Sequence, residues 1–256
     1  MAFSGNVALI TGGGSGMGRL AARNLASQGK QVAALDVDVD GLKETADGYD
    51  GILTLPTDVT DPVSVQQAVE RCEQELGPID RVYNAAAIMP TGRLMDQDLA
   101  VIQKIMDINY GGVVNVAKFT LPGMIERGRG DFINFASMAG WLPVIYLGAY
   151  NASKFAVVAF AEVLYHENQN SGVRFACVCP PPVATPLLQQ AEDNVWPKTF
   201  DSAPPIEPQD VLDAIEVTLE KNSLWVFPGR GTKTSWRFRR WFPGRLWKMV
   251  HKLEGV

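Results

Sequence analysis

A tyrosine stands four residues before a lysine in Tyr150-Asn151-Ala152-Ser153-Lys154, at the start of a stretch with helical periodicity. That spacing puts the phenol and the ammonium on one helix face. A phenol with an unperturbed pKa near ~10 is a poor base at neutral pH, but an adjacent cation favours phenolate and is expected to lower that value. Together the two groups can move a proton to or from an oxygen of a small molecule. Thirteen residues before Tyr150, Ser137 follows the apolar run Phe132 to Ala136. The carboxyl ends of parallel strands face a ligand crevice, so a hydroxyl at this point can donate to the same oxygen.

A second constellation lies near the start of the chain. The apolar run Val7 to Thr11 leads into Gly12-Gly13-Gly14-Ser15-Gly16-Met17-Gly18 and then at once into a helical pattern. Glycines there permit a tight turn and close backbone approach, and a helix N-terminus offers unpaired N–H groups and positive dipole to a pyrophosphate. Gly12, Ser15, Gly16, Met17 and Gly18 are therefore candidate phosphate-loop residues. The next apolar run ends at Asp36, 18 residues beyond Gly18, close to the distance at which an acidic residue reaches the ribose of a bound dinucleotide. A carboxylate there accepts from a free 2′-OH and repels a 2′-phosphate, and neither Ser15 nor Val37 supplies a cation. NAD is expected over NADP. A purely local role also stays open, since Asp36 begins the acidic run Asp36-Val37-Asp38-Val39-Asp40 and could cap a turn.

These groups need elements to hold them. Short apolar runs alternate with amphipathic stretches: Val7 to Thr11 and Gly18 to Gly29, Gln31 to Asp36 and Gly41 to Tyr49, Ile52 to Pro56 and Asp61 to Leu76. Strands at Arg81 to Ala85, Asp131 to Ala136, Arg174 to Cys179 and near Leu224 to Phe227 continue the rhythm, with helices at about 98–124, 150–168 and 208–220 between them. Parallel strands need crossover helices and are buried on both faces, so the pattern predicts an α/β, doubly wound, seven-stranded parallel sheet flanked by helices. The chain of 256 residues is expected to form one domain, with residues 1–228 as the dinucleotide-binding catalytic part, an insert at about 186–207 as a lid, and 229–256 as a distinct tail.

The glycine loop followed in order by serine, tyrosine and lysine resembles the short-chain dehydrogenase/reductase family, from about Val7 to Phe227. The loop matches that family's Thr-Gly-x-x-x-Gly-x-Gly, and Tyr150 with Lys154 matches its Tyr-x-x-x-Lys. The resemblance implies a Rossmann-type fold, hydride transfer between a nicotinamide and an alcohol or ketone, and a homodimer or homotetramer built partly on the long helices. It also implies that Asn109 is a fourth catalytic member, kinking the long helix and holding a relay water. Asp58, with Val59 beside it, falls where the family contacts adenine, and Pro180, Val183 and Thr185 fall where it grips the nicotinamide amide. Asn84 keeps the first residue of the family's Asn-Asn-Ala-Gly, which here reads Asn84-Ala85-Ala86-Ala87, and the family's Pro-Gly reads Pro180-Pro181. Tyr150 and Lys154 would contact the cofactor as well as the substrate.

Apolar residues at Ile88, Met89, Met138, Trp141, Leu142 and Ile145, with Leu187, Leu188, Val195, Trp196 and Phe200 in the insert, predict a wall suited to a lipophilic alcohol or ketone of steroid, fatty-acyl or aryl type. Two other readings stay open: a 3-oxoacyl-thioester reductase of the same family, and a non-catalytic dinucleotide-sensing regulator. A sugar epimerase would need a larger substrate domain.

Composition narrows the field further. With 46% apolar and 20% charged residues the chain is globular. Cys72, Cys177 and Cys179 lack metal-ligand spacing and there are only two histidines, so no metal site is expected and the thiols should be reduced and buried. No leader precedes the first apolar run, and a cytoplasmic protein is expected. From Gly229 onward eight Lys/Arg face one Glu, leaving −12 on the preceding residues out of a net −5. From Pro243, Leu246, Trp247, Val250 and Leu253 form an apolar stripe on a basic amphipathic helix. Three placements are open for it: on an anionic membrane surface as a peripheral contact, on another subunit, or folded back beside its own substrate cleft. Nucleic acid is not an expected partner, because the body is acidic and carries no binding module.

Overall fold

Alternation along each strand sets the architecture. In the strand Val7–Thr11 (β1), Leu9 faces one side of the sheet and Ala8 and Ile10 the other, and the same period-two pattern recurs in Gln31–Asp36 (β2). All of these side chains are buried, which requires helices on both faces. The computed structural model describes residues 3–255. It has seven parallel strands in the order β3-β2-β1-β4-β5-β6-β7, with β3 at Ile52–Pro56, β4 at Arg81–Asn84, β5 at Gly130–Phe135, β6 at Val173–Val178 and β7 at Trp225–Val226. The order reverses between β1 and β4, and this switch point opens the crevice at the carboxyl edge. The fold is thus the expected Rossmann-type seven-stranded sheet in a single domain.

Helices Gly16–Ser27 (α1) and Pro208–Glu220 (α8) cover one face. Pro62–Leu76 (α3), Gly112–Glu126 (α5) and Gly148–Glu167 (α6) cover the other. Local sequence fixes where several of them begin. Asp38 caps Val39–Ala46 (α2) through Gly41 N–H, Asp61 caps α3 through Val63 N–H, and Asp98 caps Leu99–Met106 (α4) through Ala100 N–H. Proline opens α3, α8, Pro186–Glu192 (α7) and Pro243–Glu254 (α10), a position where its missing N–H costs nothing.

The long helix expected over 98–124 is two helices, α4 and α5, joined by a π-helical turn at Asp107–Gly111. The extra residue in that turn rotates Asn109 inward. The insert forms α7 and a short 3-10 turn at Lys198–Ser202. Beyond Gly229 the chain forms Thr232–Trp241 (α9) and α10. Trp236 of α9 stacks on Phe227 and meets Trp141 edge-on, while Trp141 also packs edge-on against Trp225. That aromatic cluster pins the tail to the end of the sheet. One face of the tail thus lies beside the chain's own cleft, one of the three placements the sequence left open.

All three cysteines are buried and unpaired. Among the described residues no helix is long and apolar enough to cross a membrane.

Candidate active site

The glycine loop comes first because every other group is placed against it. Gly12 has φ +68°, and a Cβ there would stand 2.9 Å from Ala86 N. At Gly18 a Cβ would come within 2.1 Å of the Gly12 carbonyl oxygen, so only glycine lets α1 start this close to the strand. Ser15 occupies the cap position but makes no side-chain hydrogen bond to the helix, and no acidic residue lies in the first turn. The first-turn N–H groups are left to an anion. Thr11 ties this loop to the next strand, its hydroxyl accepting from Ala85 N–H and Ala86 N–H at 3.1 and 3.2 Å.

A cleft of about 200 Å³ opens over the loop. Gly12, Ser15, Gly16, Met17, Gly18, Asp36, Asp58 and Val59, the residues singled out in the sequence, all line it. The Asp36 carboxylate accepts from Gly14 N–H at 2.9 Å and from Asp38 N–H at 3.0 Å. It therefore caps a turn and also stands at the cleft. Asp58 accepts from Thr60 N–H and hydroxyl, at 2.9 and 2.8 Å, and remains exposed. Asn84 is the exception: it lies off the cleft wall, donates to Asn134 Oδ1 at 2.9 Å, and has a buried Oδ1 without a partner. The Ala85 to Ala87 backbone after it lines the cleft instead. A Gly-lined cradle at an open helix N-terminus, with a carboxylate at the end of β2, fits the diphosphate and ribose of a dinucleotide.

A larger cavity of about 670 Å³ adjoins the cleft, and Met17, Ala85, Ala87, Thr185 and Leu187 line both. Ser137, Tyr150, Lys154, Pro180 and Val183 lie in its wall. Ser137 follows β5 and caps a 3-10 turn, its hydroxyl accepting from Ala139 N–H at 3.1 Å. Tyr150 is in the first turn of α6, with its ring 5.6 Å from the Lys154 ammonium. Lys154 donates to the Phe135 carbonyl at 2.8 Å.

The phenol differs from the sequence expectation. Burial pushes Tyr150 up to about 12, and the hydrogen-bonded Ser137 hydroxyl opposes that only in part. Burial likewise pulls Lys154 down to about 8, against the raising influence of the neighbouring Cys177 and Cys179 thiols. The cation does not lower the phenol's value here because it is desolvated and directed to a backbone carbonyl. The resting state is a protonated phenol beside an ammonium that gives up its proton easily.

Asn109 lines neither cavity. It is fully buried, accepts from Ile88 N–H at 2.9 Å, and donates to the Ile88 carbonyl and Ser153 hydroxyl at 3.0 Å each. Ser153 in turn donates to the Tyr150 carbonyl at 2.8 Å. This geometry makes Asn109 a brace between the turn after β4 and the first turn of α6.

Of the apolar wall read from the sequence, Met89, Met138, Leu142, Leu187, Leu188 and Phe200 line the larger cavity. Trp141 does not: it donates to Cys179 Sγ at 3.3 Å within the aromatic cluster. Trp196 instead bonds Asp201 and packs on Phe200, and Ile88 turns to the smaller cleft. The missing wall comes from the tail, with Phe238, Leu246, Met249, Val250 and Leu253. Gln190 of α7 accepts from Met89 N–H at 2.7 Å and closes the lid against the β4 side.

Residues 6–196 match the family model for short chain dehydrogenases. The chain belongs to that family. Its cofactor is accordingly a nicotinamide dinucleotide, and the chain is an oxidoreductase. A short chain dehydrogenase/reductase from Burkholderia phymatum, solved in complex with NAD, superposes with a TM-score of 0.83 at 27% identity over 94% of each chain. The 17-beta-hydroxysteroid dehydrogenase 13 of Rattus norvegicus is 28% identical over 99% of this chain and 84% of its own length. The glycine betaine reductase ATRR of Emericella nidulans is 34% identical over 86% of this chain, which spans only 18% of that protein. This short chain dehydrogenase thus aligns with most of the rat protein and with only a part of the fungal reductase.

Proposed function

We propose that this chain is an NAD(H)-dependent oxidoreductase interconverting a lipophilic secondary alcohol and its ketone, of steroid, fatty-acyl or aryl type. One observation carries the reading: Tyr150, Ser137 and Lys154 stand in the wall of a cavity of about 670 Å³ that is mostly apolar and joins the dinucleotide cleft. A cavity of that size suits a drug-sized lipophilic molecule. The hydroxysteroid dehydrogenase named above supports the same substrate class.

Gly12, Ser15, Gly16, Met17, Gly18, Asp36, Asp58 and Val59 would hold the adenosine and diphosphate; Pro180, Val183 and Thr185, with Tyr150 and Lys154, would hold the nicotinamide half. Asn84 would act behind the cleft, through Asn134 and the strand end. Bound there, a nicotinamide would supply the hydride chemistry at the carbinol carbon. In reduction Tyr150 gives its proton to the substrate oxygen while Ser137 donates to that oxygen, and the Lys154 ammonium steadies the phenolate left behind. Oxidation reverses these transfers. Asn109 holds α6 and the Ile88 turn in register.

NAD is favoured over NADP by Asp36, whose carboxylate would repel a 2′-phosphate. Arg19, at the start of α1, is bonded to the Gly14 and Gly41 carbonyls, the Thr45 hydroxyl and Glu44 and so is engaged elsewhere. Phe155 and Val163 on α6 and Ile125 on α5 stay exposed, which supports a homodimer or homotetramer formed through these helices. Three unpaired thiols suit the reducing cytoplasm.

The test is absorbance of reduced nicotinamide with NAD or NADP and a panel of steroid, medium-chain and aryl carbinols. Turnover with NAD and a lipophilic alcohol is expected, falling by about 10²–10⁴ in Tyr150→Phe with NAD affinity retained. NAD binding without turnover of any carbonyl or carbinol would replace this reading with the regulator.

A further inference from the structure

The tail has two faces, and the cavity uses only one. Leu246 and Val250 of α10 and Phe238 of α9 turn inward as its roof. On the outer side Lys233, Arg237 and Arg240 follow one another at helical spacing along α9, and Arg245, Lys248 and Lys252 along α10, all exposed. Among the described residues no salt bridge involves any of them. The corner between the helices carries Trp241, 73% exposed, beside the exposed Phe242.

We propose that the outer face of α9–α10 is a docking surface for an anionic lipid bilayer. The charge argues for it: cations concentrated on one segment, in no salt bridge among the described residues, on a chain whose remaining residues sum to −12. Each such cation near an anionic surface strengthens attachment several-fold, and an exposed tryptophan at a basic corner inserts at the headgroup level. A two-fold symmetric contact between copies through this face would set tail against tail, cation against cation, so a second copy is the poorer occupant. Docked in this way, the roof of the substrate cavity lies against the bilayer. A lipid-soluble substrate would then enter without crossing water. That last step rests on the substrate class proposed above, whereas the docking itself does not.

The experiment is co-sedimentation of the full chain with vesicles of phosphatidylcholine alone or phosphatidylcholine with phosphatidylserine, across a salt series, with analytical ultracentrifugation of the same samples without lipid. Binding only to the anionic vesicles, released by salt, is expected. Joint substitution Arg240→Gln, Lys248→Gln and Lys252→Gln should lower the partition coefficient on the order of a hundredfold, and Trp241→Ser should lower it separately, both with NAD affinity intact. The salt series on the unsubstituted chain decides the matter should either variant fold poorly. No binding to anionic vesicles, or binding indifferent to salt and to the substitutions, overturns the proposal. Self-association that the triple substitution abolishes, without vesicle binding, overturns it in favour of a heterologous subunit contact. Absence of turnover with lipophilic alcohols in the presence of vesicle binding would count against the substrate class and leave the docking surface standing.

Discussion

The Glu254 carboxylate accepts from the backbone N–H of Thr199 at 2.8 Å and also from its hydroxyl, and takes the Lys198 N–H at 3.1 Å. One buried side chain near the end of α10 thereby latches the tail to the 3-10 turn of the lid, over the larger cavity.

Removing that latch should loosen the roof. Glu254→Ala leaves two partly buried N–H groups and a hydroxyl without their acceptor, at a cost of about 1–3 kcal/mol in urea unfolding. KM for the lipophilic substrate should rise while KM for NAD stays put, because no NAD-side residue is touched. Glu254→Gln keeps an acceptor and should lose less of both. Unchanged stability and unchanged KM in the alanine variant would mean that the latch holds nothing.

The titrating pair sets an asymmetric pH dependence. Burial raises the Tyr150 phenol to about 12, so it keeps its proton throughout the neutral range and is ready to give it. Burial lowers Lys154 to about 8, so its charge is present below that pH and lost above it. Reduction, which needs a protonated phenol and a charged lysine, should be level through neutrality and fall as pH rises past about 8. Oxidation needs phenolate, so its kcat/KM should climb with pH and slacken where Lys154 loses its proton. Steady-state rates in both directions across the pH range check this, and a reduction rate that stays level well above that point would detach Lys154 from the chemistry.

Much of this was legible in the sequence because the signals are local. A strand leading into Gly12-Gly13-Gly14-Ser15-Gly16 and a helix, and apolar runs such as Val7 to Thr11 and Gln31 to Asp36 alternating with amphipathic stretches, each need only a few neighbouring residues to be interpreted. The placement of the tail was not local. The stripe Leu246-Trp247-Val250-Leu253 says that one face must be covered, and nothing in it says by what. The structure supplies the cover with its own cavity, and Leu253 is left partly in solvent. Nor could spacing weigh desolvation against a cation, and so the phenol's value moved opposite to expectation. Trp141 fits a cavity wall as well as an aromatic cluster by hydropathy, and only the positions of Trp225 and Trp236 decide between them. Gln190 gave no signal at all.

Cofactor choice should turn on one carboxylate. Asp36→Asn keeps an oxygen for Gly14 N–H but removes the charge that repels a 2′-phosphate and binds the ribose hydroxyl. The expected result is a roughly ten- to hundredfold shift of the NAD/NADP preference toward NADP, corresponding to about 1.5–3 kcal/mol for a charge-assisted hydrogen bond. Paired kcat/KM values for the two cofactors measure it. A preference that does not move would confine Asp36 to its turn with Asp38.

The amino ends of the central strands offer a control in which stability and activity should separate. Arg81 at the start of β4 is fully buried and pairs with Asp131, two residues into β5, at 2.6 Å. Asp131 also holds Arg174 at 2.6 Å, and Arg81 meets Glu216 and the Tyr83 hydroxyl. Asp131→Asn leaves the Arg81 charge with less compensation in a dry site, and breaking such a pair costs about 3–5 kcal/mol. The remaining contact to Glu216 should keep the loss toward the lower figure. Asp131 lies at the amino end of β5 and Ser137 beyond the carboxyl end, and the strand from Asp131 to Phe135 alone spans roughly 13 Å by its rise per residue. The variant should therefore unfold at lower urea while kcat and both KM values at low temperature match the parent. A large fall in kcat with stability unchanged would show that this ion cluster acts on the site through the sheet.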